Sequence, residues 1–66
     1  MTGNRKIEVK YEGDKKNGNR EGNGILFYSN GLCYEGEFRN GLRHGFGVLK
    51  INHIDIYNGD WINDQI

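Results

Sequence analysis

The stretch Tyr34-Glu35-Gly36-Glu37-Phe38-Arg39-Asn40-Gly41-Leu42-Arg43-His44-Gly45-Phe46-Gly47 decides the fold, because the chain has already written most of it once. Tyr11-Glu12-Gly13-Asp14 opens the same pattern, and Arg20-Glu21-Gly22-Asn23-Gly24 closes it. Tyr11, Tyr34 and Tyr57 stand 23 residues apart, and each has glycine two places on, at Gly13, Gly36 and Gly59. Laid over residues 34–56 with no insertion, residues 11–33 match identically at Tyr11/Tyr34, Glu12/Glu35, Gly13/Gly36, Asn17/Asn40, Gly18/Gly41, Arg20/Arg43, Gly22/Gly45, Gly24/Gly47 and Leu26/Leu49. Asp14/Glu37, Lys16/Arg39 and Ile25/Val48 keep charge or shape. A fixed period of this length marks stacked supersecondary units, each unable to bury its apolar face without its neighbours.

Within a repeat the pattern has period two. Ile7, Val9 and Tyr11 alternate with Glu8, Lys10 and Glu12, and Leu32, Tyr34, Gly36 and Phe38 share one parity, as half-buried strands require. Gly24-Ile25-Leu26-Phe27-Tyr28 and Gly47-Val48-Leu49-Lys50-Ile51 are rich in branched and aromatic residues, and the first stops at the turn signal Ser29-Asn30-Gly31. Asn17-Gly18 and Asn40-Gly41 supply the positive φ of a tight reversal in the same columns. No segment has caps and a helical apolar face, so no helix of consequence is expected. The chain therefore reads as all-β: an elongated meander of antiparallel β-hairpins, one hairpin per repeat. Its parts are a tail and leading strand (1–10), two repeats (11–33 and 34–56) and the start of a third (57–66). Gly22 and Gly24, like Gly45 and Gly47, are expected to share one face and leave a bare strip for a ring from a neighbouring strand, with Phe38 and Trp61 as occupants.

Composition narrows the function. In 66 residues, 9 Lys and Arg balance 9 Asp and Glu, so bulk nucleic-acid binding is not expected, even with Phe27 and Tyr28 near basic residues. Only 35% of the residues are apolar, which leaves a small core at best. The longest apolar run, Ile25–Tyr28, is far shorter than a membrane span, and the polar opening Met1–Lys6 does not read as a signal peptide. A single cysteine, Cys33, gives no disulfide framework, and the reading is intracellular.

Tyr34-Glu35-Gly36-Glu37-Phe38 with Gly41 and then Gly45-Phe46-Gly47 resembles the MORN (membrane occupation and recognition nexus) repeat: Tyr-x-Gly-x-Trp, a glycine three residues later, then Gly-x-Gly. Tyr57-Asn58-Gly59-Asp60-Trp61 resembles its opening. The departures are Lys15 in the aromatic column, Asp64 in a glycine column and Ile54 where the preceding repeat has Gly31. The resemblance implies a cytoplasmic scaffold, of the kind found beside lipid-kinase and methyltransferase domains, in junctional proteins that tie two membranes together, and in cytoskeletal and ciliary assemblies. The roles it implies are protein contact, dimerisation and phospholipid binding.

Catalysis is not expected, because Thr2, Ser29, Cys33, His44 and His53 lie in no nucleophile motif, and both histidines are placed in loops. Cys33, His44, His53 and Asp55 lack the short spacing of structural zinc sites. The Gly-x-Gly pairs lack the remaining residues of a dinucleotide or phosphate loop. No cofactor, metal or small-molecule substrate is therefore expected. Two partner surfaces are. Lys16 and Arg39 share one column and Arg20 and Arg43 another, so four cations would form two rows at one edge, for an anionic phospholipid headgroup or an acidic protein. Tyr11, Tyr34, Phe38, Tyr57 and Trp61 form an aromatic face, for protein contact or for stacking of the repeats. Residues 1–33 carry a net charge of +2 and residues 34–66 a net −2, which favours pairing with another MORN segment. Trp61 is expected to begin a strand that a partner's strand could complete.

Overall fold

The computed structural model describes residues 7–66. It is a single five-stranded antiparallel sheet in the order β1-β2-β3-β4-β5, formed by β1 (Glu8–Lys16), β2 (Asn19–Tyr28), β3 (Leu32–Arg39), β4 (Leu42–Ile51) and β5 (Ile54–Trp61). The only helical element among the described residues is a 3-10 turn, Ser29–Gly31. The all-β meander is thus what forms, with β1–β2 and β3–β4 as the hairpins of the two repeats and each successive strand pairing with the next. Residues 1–6 of the expected tail lie outside the described residues.

The Asn-Gly dipeptides close the hairpins as their chemistry dictates. Asn17 and Gly18 have φ of 53° and 82°, and Asn40 and Gly41 have 52° and 85°. Positive φ at both central positions makes turns whose twist matches that of the strands they join. The β4–β5 reversal does the same without glycine, at Asn52 (49°) and His53 (70°), which is how the chain manages with Ile54 in the column of Gly31. Asp64 likewise takes φ of 73° in its glycine column. The tips stack in register with the repeat: Gly41 N–H donates to Arg20 O, and Asp64 N–H donates to Arg43 O one period later.

Register places one glycine from every strand in a single row across the sheet: Gly13, Gly24, Gly36, Gly47 and Gly59. Next to it runs a row of Tyr11, Leu26, Tyr34, Leu49 and Tyr57. The rings that cover the glycine row are these tyrosines, not the expected Phe38 and Trp61. A Cβ on Gly24 would strike the Tyr11 ring, one on Gly47 the Tyr34 ring, and one on Gly59 the Tyr57 hydroxyl. The hydroxyl explains the difference. Each tyrosine reaches along the strand to donate to the carbonyl three residues on, and its ring is drawn over the glycines. Gly22 and Gly45 are not part of this strip either: with φ of 76° and 82° they face the carboxylates of Asp14 and Glu37, beside irregularities in the ladders.

Candidate functional site: the two faces of one sheet

The core lies on one face, where buried Leu26 and Tyr28 join five rings packed edge to face in a continuous line. Tyr11 meets Phe38 at 5.3 Å between centroids, Phe38 meets Tyr34 at 5.0 Å, Tyr34 meets Trp61 at 5.2 Å and Trp61 meets Tyr57 at 5.5 Å. All four pairs are nearly perpendicular, the geometry that sets the positive edge of one ring against the negative face of the next. Tyr34, Phe38 and Trp61 are buried, and Tyr11 and Tyr57 at the two ends are half-buried. The structure thus brings together all five aromatic residues singled out in the sequence, and the middle three serve the stacking of the repeats.

Polar groups fix this ladder with the period of the repeat. The hydroxyls of Tyr11, Tyr34 and Tyr57 donate to the carbonyls of Asp14, Glu37 and Asp60 at 2.6, 2.7 and 2.9 Å. The carboxylates of Asp14 and Glu37 in turn accept from the backbone N–H groups of Asn23 and Phe46. Burial pushes the Tyr34 phenol up to about 12, and it raises those of Tyr11 and Tyr28 as well. Trp61 Nε1 donates to Gly47 O at 3.3 Å.

The four cations do not share one environment. Lys16 and Arg39 are exposed. Arg20 is half-buried: it pairs with Glu8 at 2.7 Å, and its guanidinium lies over Tyr11 at 5.7 Å and over Phe38 at 5.9 Å. Arg43 is buried, held by the carboxylate and carbonyl of Asp64 at 2.6 and 3.1 Å, and it lies over Tyr34 at 5.9 Å and Trp61 at 4.4 Å. Instead of forming a second exposed row, the Arg20/Arg43 column closes the ladder from its side, as a planar cation over aromatic faces does. Trp61 is the last residue of β5 and not the first of a strand, and His44 lies in β4, where Nδ1 accepts from Asn63 N–H.

The opposite face carries no second layer among the described residues. Glu12, Ile25, Glu35, Val48 and Asn58 form a row across it. Glu12, Ile25, Glu35 and Val48 of this row, with Asn23, Lys50, Asp55 and the backbone of Gly13, Gly24 and Gly36, line an open groove of about 650 Å³. Lys50 donates to Glu35 at 3.2 Å, and this hydrogen bond holds the ammonium above its usual range. The signal for the groove was in the sequence, since Glu12/Glu35 and Ile25/Val48 are repeat columns; it was overlooked because their side chains alternate with the aromatic ones.

A hairpin per period, a tyrosine over Gly-x-Gly and turns stacked at the same interval are the physical content of the repeat. The MORN repeat family model matches residues 11–33 and residues 34–51. The chain belongs to the MORN repeat family. No curated protein and no solved structure matches it. Residues 57–66 lie beyond the matched spans, yet Tyr57, Asp60 and Trp61 repeat the hydroxyl bond and ring packing of a MORN opening. Among the described residues no three His, Cys, Asp or Glu side chains gather where they could hold a metal ion, and no helix is long and apolar enough to cross a membrane.

Proposed function

We propose that this MORN segment is a non-enzymatic scaffold that binds a protein partner within a larger intracellular assembly. The observation that carries the reading is the division of labour between the faces. The aromatic rings, their hydroxyl bonds, the half-buried Arg20 and the buried Arg43 hold the sheet together on one side, while the other side offers a groove with half-buried Ile25 and Val48 and nothing packed on it among the described residues. Ile25 and Val48 give a partner apolar contact in this groove, and Glu12, Glu35, Lys50 and Asp55 around them give it charged contacts. The outer edge of β5, with Ile54 and Ile56 exposed, gives a second place where a partner's strand could add. Resemblance to the family supports a cytoskeletal or ciliary setting.

The alternative is peripheral binding to a phosphoinositide surface. Of the four cations that suggested it, Lys16 and Arg39 are free to reach a headgroup, whereas Arg43 is enclosed by Asp64 and Trp61. Co-sedimentation with liposomes that contain or lack phosphoinositide, at physiological salt, decides between the two. The scaffold reading expects folded protein in the supernatant in both cases. Pelleting that requires phosphoinositide and is abolished by Lys16→Glu with Arg39→Glu would replace it with the membrane reading.

A further inference from the structure

The open face has a periodicity of its own. Reading strand by strand, its central row is Glu12, Ile25, Glu35, Val48, Asn58, so a carboxylate alternates with a branched apolar side chain. This follows from the repeat, since each unit contributes two strands, the first supplying Glu and the second Ile or Val. The floor of the groove is bare backbone at Gly13, Gly24 and Gly36. Its ionisable lining is three carboxylates, Glu12, Glu35 and Asp55, against the single ammonium of Lys50. The present ion pairs there, Lys50 to Glu35 at 3.2 Å and Lys10 to Glu12 at 3.0 Å, join side chains that are mostly about half exposed. An incoming cation can replace such pairs readily.

Spacing selects the shape of the occupant. Neighbouring strands lie about 4.8 Å apart, so Glu12 and Glu35, two strands apart, are separated by about 9.6 Å along the row. A β-strand laid across the sheet would present same-side chains about every 6.8 Å and fall out of step. A polyproline II chain, with three residues per turn and a rise of about 3.1 Å, presents the same side about every 9.3 Å.

We propose that the groove binds a cationic protein segment in polyproline II conformation lying across the strands, with Lys or Arg at every third position on Glu12 and Glu35 and the aliphatic stems of those side chains against Ile25 and Val48. This rests on the interaction reading above and names the chemistry of its partner.

The test is a titration of the isotope-labelled full chain with a synthetic peptide of repeated Lys-Pro-Val units, followed by amide chemical shifts. Saturable shifts at Ile25, Glu35 and Val48 are expected, with affinity falling roughly tenfold or more for Glu12→Gln combined with Glu35→Gln, and falling as salt is raised. A Glu-Pro-Val peptide should not bind. Neither substitution touches the aromatic ladder, and unchanged Trp61 fluorescence reports that the fold is intact. Equal binding by the double variant, shifts confined to the ladder face, or equal binding by a peptide with lysine at alternate positions would overturn the proposal. If a photo-crosslinker at Val48 captures a protein while no Lys-Pro-Val peptide binds, this partner class is overturned and the interaction reading stands; if both fail, both are overturned.

Discussion

Gly47→Ala is the substitution that tests the glycine–tyrosine register most sharply. Gly47 is buried in β4, and an added Cβ would overlap the Cε1, Cζ and hydroxyl of Tyr34. That ring has nowhere to go: it is 0% exposed, with Phe38 and Trp61 edge-on at 5.0 and 5.2 Å and its hydroxyl fixed to Glu37 O at 2.7 Å. Displacing it forfeits two aromatic pairs, about 0.5–1.5 kcal/mol each, and a hydrogen bond of about 1 kcal/mol. The expected loss is about 2–4 kcal/mol, most of what a domain this small has to lose. Urea unfolding followed by fluorescence measures it, because Trp61 is the sole tryptophan and packs on the displaced ring. Gly18→Ala is the control. Its Cβ would meet open space at a φ of 82°, so only a backbone term of about 1–2 kcal/mol applies. In a Tyr34→Leu background the cost of Gly47→Ala should fall well below its value in the native chain. An equal cost in both backgrounds, or a cost no greater than that of Gly18→Ala, would show that the Tyr34 ring does not set the requirement for glycine at position 47.

Tyr34→Phe keeps the ring and removes only the hydroxyl, so it should lower stability by about 1 kcal/mol in the same urea assay. Alkaline titration should show the same site from another side. Because the folded-state pKa of Tyr34 is raised from 10.0 to about 12, its contribution is whole below pH 10 and is lost as pH rises through 12, so far-UV circular dichroism should show unfolding in that window and not at pH 8. Arg43→Lys should destabilise by roughly 2 kcal/mol, since an ammonium cannot both bond Asp64 as a fork and lie flat over Trp61; thermal unfolding checks this, and Arg39→Lys should be neutral.

The meander was legible in the sequence because its determinants are local or strictly periodic. Asn17-Gly18 and Asn40-Gly41 dictate their own reversals, and the interval between Tyr11, Tyr34 and Tyr57 dictates that the same hairpin recurs. Even the departure at Ile54 changed little, because Asn52 and His53 accept the backbone conformation that glycine would otherwise provide. Residue pairing across the sheet was less legible. Which ring covers Gly24 depends on where the Tyr11 hydroxyl finds a carbonyl, and that carbonyl belongs to Asp14 at an irregularity in the β1–β2 ladder that strict alternation does not anticipate. The same irregularity recurs beside Glu37, and with it the strip expected at Gly22 and Gly45 was lost. Arginine was the other blind spot. Charge marked Arg20 and Arg43 as surface groups, but a guanidinium is flat and weakly hydrated, so it can close a stack of rings where a lysine would turn to water.

The face opposite the aromatic ladder is the one proposed to meet a protein. Its most direct test is a photo-crosslinking side chain at Val48, with Lys16 as the comparison site, in the cells that produce the protein. A discrete protein adduct is expected from Val48, diminished by Glu12→Gln with Glu35→Gln. Lipid adducts from Lys16, with nothing captured at Val48, would contradict it.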